Sequence, residues 1–279
     1  MGEATLKRFL ALASRVVYYY NEKQIPIASA ALCYYLMMTV FPLIICLYTL
    51  LGTNYDNAIR VLEFVESFIS TDTFESIRNF LAYVARNHSS AMYYAGLTVL
   101  LTSASAAIRS MEVTIGRMQG GERYAGFGRI IFSVVFAVAF LLVTWFAILT
   151  MFTSRDLINL INSYIPFADI SGSWLWIKYL MLAGIMFLIL WGIYRFCRKR
   201  RMRYFTWPGA ILATLGSVVM SLVFSAFIAA SARYSLVYGS LASVILLMLW
   251  MYFTCQVIYI GAAFNLAIRD IKATENEKA

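Results

Sequence analysis

Six stretches of about twenty consecutive, mostly apolar residues constrain this chain more than anything else in it. The hydrocarbon core of a bilayer is about 30 Å thick and an α-helix rises about 1.5 Å per residue, so about 20 apolar residues make one crossing. The stretches run over residues 27–51, 91–108, 130–152, 174–196, 207–230 and 240–263. A bilayer offers no water to backbone amides, so helices are the form such segments take. Composition agrees: 62% of residues are hydrophobic and 13% charged, where a soluble domain carries about a quarter charged. The expected fold is an all-α integral membrane protein, a single membrane domain with six transmembrane helices. The second stretch holds Thr102, Ser103 and Ser105 and is expected to sit among the other helices rather than face lipid.

The formal charge of +9 suits either nucleic acid or an anionic membrane surface. Position decides between them. Of the 23 Lys and Arg residues, 17 fall on the side of the spans that bears both termini and 6 on the other, so both termini are expected to be cytoplasmic. The basic residues are spread over several rims, the pattern of membrane anchoring, and nucleic acid is not expected as a partner. The densest cluster, Arg195, Arg198, Lys199, Arg200, Arg201 and Arg203, is read as a rim that meets lipid phosphates. Tyr194, Tyr204, Trp207, Tyr234 and Tyr238 stand at span ends, where aromatic belts belong.

Three further segments have helical periodicity. Residues 5–20 place Leu6, Phe9, Leu10, Ala13, Val17 and Tyr20 on one stripe, which predicts an interfacial helix on the cytoplasmic leaflet. Residues 54–87 read as an external amphipathic hairpin, with Asp72 as N-cap and Glu75 three residues on. The first span follows amphipathic, charged sequence without a cleavage signal and is expected to stay in the membrane. The charged tail over 269–279 is expected to fray after Asp270.

Enzyme chemistry finds little to work with. The chain has one His and four Cys, with no CxxC pair, no metal-ligand spacing, no phosphate-binding loop and no GxSxG. No cofactor or metal is expected, and the cysteines read as small core hydrophobes. Candidate functional residues are therefore the polar groups inside the spans. Pro42 frees the carbonyl of Met38 from its helix partner, which either opens a substrate path or is closed by Thr39. Arg109 and Glu112 are one turn apart and close enough to pair, and with Ser103 and Ser105 they make the second helix the most polar. Gln256 is expected to hydrogen-bond across helices, and Asn265 to pair with Arg269 at the rim. Gly209, Ala213, Ser217 and Ser221 repeat at intervals of four, drifting about 40° per step, a stripe suited to close helix packing.

Several strings together resemble one family: Ala30 to Pro42, which includes Tyr34-Tyr35; Tyr194-Arg195; Trp207-Pro208-Gly209-Ala210; Tyr238-Gly239-Ser240-Leu241-Ala242; Leu249-Trp250-Met251-Tyr252; and Gly261-Ala262 followed by Asn265. The chain is similar in these to the YihY/BrkB family of bacterial inner-membrane proteins, over about residues 10 to 268. It departs from the pattern at Thr39, at Ala263 and around Glu112 to Ile115. The resemblance implies a six-helix protein of the bacterial plasma membrane, whose relatives have been labelled ribonuclease, virulence factor and candidate lipid transporter. The expected function is a non-enzymatic transporter or lipid-handling protein not driven by ATP, acting on a lipid, a lipid-linked molecule or a small anion. Its expected path is lined by Tyr35, Thr39, Pro42, Ser103, Ser105, Arg109, Glu112, Gln256 and Asn265. Membrane lipids, anionic at the cytoplasmic face, are the expected partners, beside a homo-oligomer or an envelope partner. The alternative is a scaffold or envelope-assembly protein that docks through the external hairpin, and a lipid-modifying enzyme ranks third. Ribonuclease activity is not expected from a chain with a single His.

Overall fold

A tight turn around Gln24 sets the order of the helices. Lys23 and Gln24 donate their amides back to Tyr19 and Asn21, closing the first helix, while the Gln24 carbonyl accepts from Ile27 and Ala28 and opens the second. Gln24 adopts φ 51°, a left-handed conformation that costs a non-glycine residue about 1 kcal/mol. Pro26 follows in the first turn of the next helix, where its missing N–H costs no hydrogen bond.

The computed structural model describes residues 2–50, 90–119, 127–152, 170–198, 205–230 and 240–278. Among these residues there are seven helices and no strand: α1 (Gly2–Glu22), α2 (Ile25–Leu50), α3 (Ser90–Met118), α4 (Phe127–Phe152), α5 (Ile170–Cys197), α6 (Trp207–Ala230) and α7 (Ser240–Lys278). The expected hairpin over 54–87 lies outside the described residues, as do His88 and the basic run 199–203.

Helices α2 to α7 close a ring in chain order, each packing on the next and α7 returning to α2. Helix α3 also touches α5 and α7, so the most polar of the expected spans packs against four others. Its buried face carries Leu100, Ala104, Ala107, Ile108, Met111 and Ile115 at the three- and four-residue steps of one helical stripe. Among the described residues three helices are long and apolar enough to cross a membrane, within Leu180–Cys197, Trp207–Phe227 and Val244–Thr274; α2 and α4 have shorter apolar stretches, Ile25–Val40 and Ile130–Leu142. Leu215, Leu222 and Val223 of α6 point outward, about 60% exposed, an arrangement for hydrocarbon rather than water. Helix α7, at 39 residues, is about 58 Å long. It continues to Lys278 instead of fraying after Asp270, with Arg269 paired to Asp270 at 2.6 Å and Thr274 donating to the Asp270 carbonyl at 3.0 Å.

The crossing of α6 and α7 is backbone against backbone. A Cβ on Gly209 would lie 2.0 Å from the carbonyl oxygen of Gly261, and one on Gly261 would lie 2.5 Å from the carbonyl oxygen of Gly209. Gly209, Ala213 and Ser217 are buried in this crossing while Ser221 is exposed, as the drift of a four-residue stripe requires. Gly216, one position off the stripe, meets Val257. Asn265 latches the start of α6: its Oδ1 accepts the Gly209 amide at 2.7 Å and its Nδ2 donates to the Thr206 carbonyl at 3.0 Å. Tyr194 joins the same junction from α5, donating its hydroxyl to the Ile258 carbonyl at 2.5 Å.

Helix α1 lies outside the ring against α7 and α2. Leu6, Leu10 and Val17 are 58–59% exposed, whereas Tyr19 is buried and donates to Asp270, and Tyr20 donates to Gln256 at 3.2 Å. Burial, then the hydrogen bond to Asp270, push the Tyr19 phenol from 10.0 to about 12. The fold therefore favours the neutral phenol, and this contribution to stability is complete below pH 10 and lost as pH rises toward about 12. In alkaline melting curves the wild-type midpoint is expected to fall over that window more steeply than that of Tyr19→Phe. Parallel curves would mean that Tyr19 does not hold α1 to α7.

Candidate functional site

A cleft of about 660 Å³ opens between α2 and α3 where the α1–α2 turn meets them. The turn contributes Glu22, Lys23 and Gln24, α2 contributes Ile27, Ala31 and Tyr35, and α3 contributes Arg109, Ser110, Thr114 and Arg117. These α3 positions recur at steps that keep them on one face, about a third of the way round from the buried stripe. The lining thus carries three cations and one carboxylate. Lys23 donates to Glu22 at 2.7 Å, and this contact, with the Tyr18 hydroxyl beside it, holds the Glu22 carboxyl below its usual range. Arg109 and Arg117 dominate what remains of the field. Glu112 is 1% exposed and is not part of the lining.

Tyr35 and Arg109 are the two expected path residues that the cleft brings together. Pro42 is buried in a helix that runs unbroken from Ile25 to Leu50. Thr39 donates to the Leu36 carbonyl at 2.5 Å, not to the freed carbonyl of Met38. Ser103 donates to Val99 at 2.7 Å, and Ser105 is buried. Gln256 does bond across helices, to Tyr20 of α1. Asn265 does not pair with Arg269: it is consumed by the α6 latch, while Arg269 turns to Asp270. Tyr194 is 2% exposed and stands in no aromatic belt, because its hydroxyl finds a carbonyl inside the bundle. In the basic loop Arg195 is exposed, its guanidinium 5.5 Å from the Trp191 ring; Arg198 is half-buried, and Lys199, Arg200, Arg201 and Arg203 lie outside the described residues. Cys33, Cys197 and Cys255 are buried.

Sequence reasoning passed over Lys23, Ser110, Thr114 and Arg117 as a group. The signal was present on α3, where 109, 110, 113, 114 and 117 share a face, but its partner face on α2 is apolar and gave no sign. Among the described residues no group of three or more His, Cys, Asp or Glu could hold a metal ion.

The model of a family described as virulence factor BrkB matches residues 16–279. A Bacillus subtilis (strain 168) protein named as ribonuclease-like, YfkH, is similar at 23% identity over 252 residues, which cover 89% of this chain and 92% of the relative. No solved structure matches.

Proposed function

We propose that this chain, which belongs to the BrkB virulence-factor family, is a membrane transporter or lipid-handling protein, not driven by ATP and not an enzyme, that admits an anionic solute through the α2–α3 cleft. The observation that carries this reading is the cleft lining, in which Arg109 and Arg117 face a cavity of about 660 Å³ beside the interfacial helix α1. A cationic cleft at the membrane surface concentrates anions and anionic headgroups. We also read α2 to α7 as six crossings with both termini cytoplasmic in the plasma membrane. The closed ring and the 17 to 6 division of basic residues support that topology. The ribonuclease-like name of the relative is not carried over, since metal-dependent phosphodiester chemistry calls for a ligand cluster and this chain has one His.

Purified protein in liposomes is expected to move labelled anionic lipid or small anions faster than protein-free vesicles, without nucleotide. Equal rates in the two would remove this reading and favour the scaffold. In that case charge substitutions at Leu62 and Val65 of the external segment would abolish function while cleft variants kept it.

A further inference from the structure

We infer that the α2–α3 cleft is a receptor for the phosphate of a membrane lipid, with Arg109 and Arg117 as its cationic ligands and the hydroxyls of Ser110 and Thr114 as neutral donors. The inference deepens the reading above by naming the ligand class of the same cleft.

Charge and chemistry come first. Glu22 is satisfied by Lys23 at 2.7 Å, so an incoming anion meets the two guanidinium groups. Arg is suited to phosphate because its planar fork of donors matches two phosphate oxygens at once. The two arginines are eight residues apart, about 12 Å along α3, with Ser110 and Thr114 between them on the lining. Behind these hydroxyls lies that of Tyr259 on α7, fully buried and interacting with both Ser110 and Thr114.

The surroundings select a lipid over a soluble phosphate. The cleft mouth is at the α1–α2 turn, and the apolar stripe of α1 sets that turn at the level of lipid headgroups. From the mouth the α2 face that begins with Ile27 and Ala31 continues as Tyr34 and Met38, with Ile27, Tyr34 and Met38 48–65% exposed. The matching α3 face continues as Thr102 and Thr98. Their hydroxyls donate to carbonyls of their own helix at 2.8–3.0 Å, so that face offers methyl groups instead of unmet donors. A headgroup held at Arg109 and Arg117 therefore has an apolar track for its chains beside it.

Full-length protein in detergent is titrated with dioctanoyl phosphatidic acid, dioctanoylglycerol and inorganic phosphate, reading affinity and melting midpoint together. Phosphatidic acid is expected to bind and dioctanoylglycerol not. Arg109→Gln and Arg117→Gln are each expected to weaken binding about tenfold, Arg109→Lys less, and Lys272→Gln on α7 not at all. Unchanged affinity in both arginine variants overturns the inference, and so does inorganic phosphate binding as tightly as the lipid. Transport in liposomes with no effect of the arginine variants on binding leaves the transport reading standing without this site. Arginine-dependent binding without transport keeps the site and removes the transport reading.

Discussion

Alanine at Gly209 or at Gly261 is expected to lower the melting midpoint of the purified protein more than alanine at Gly184, Gly192 or Gly216, at a cost of about 3 kcal/mol or more. The new Cβ would arrive 2.0 Å from one backbone carbonyl in the first case and 2.5 Å from the other in the second. Neither obstacle is a side chain that can rotate away, so the two helices have to separate. Separation would also pull Asn265 from the α6 amide it holds and Tyr194 from the Ile258 carbonyl. Gly184→Ala is the internal control. Nothing lies within 4 Å of its new Cβ, and alanine favours a helix over glycine by about 1 kcal/mol, so that variant is expected to be neutral or slightly more stable. If Gly209→Ala melts with Gly184→Ala, the close crossing does not exist.

Asn265→Leu is expected to cost about 2–4 kcal/mol. The substitution leaves two buried backbone groups, the Gly209 amide and the Thr206 carbonyl, without their partner, and each such group costs about 1–3 kcal/mol. Asn265→Asp is expected to fall between wild type and Leu. It keeps the acceptor for Gly209, and a carboxylate is tolerated at a helix N-terminus, but the donor to Thr206 is gone. A Leu variant as stable as wild type would show that the latch contributes nothing. Binding provides a separate readout, since Asn265 stands away from the cleft lining and a folded Asp variant is expected to keep its cleft affinity for phosphatidic acid.

Much of the fold could be read from residue order, and the reasons are physical. Apolar length is a one-dimensional property, so helices fall at every expected stretch, and the stripe of Leu6, Leu10 and Val17 announced α1. The small-residue stripe through Gly209, Ala213 and Ser217 announced a close crossing, but Ser221, expected to pack with them, is exposed. The polar side chains were legible as types but not as roles. Ser103, Thr39 and Thr102 looked like the makings of a polar route, yet each donates to a carbonyl of its own helix. Asn265 looked like a rim residue because Arg269 is one turn away, but its partner comes from a helix 56 residues earlier in the chain.

Residue order alone was enough for a helical membrane protein with an amphipathic first helix, because hydrophobicity and periodicity are carried by each segment separately, and the short motifs of the spans carried the resemblance to the BrkB family. Which polar groups remain open to a ligand was settled by the closing of the ring. Hydrogen bonds and close contacts depend on which faces meet, and that closure used up Asn265 and Tyr194 at helix junctions, while the docking of α1 used up Tyr19. The same closure left Arg109 and Arg117 facing a cleft.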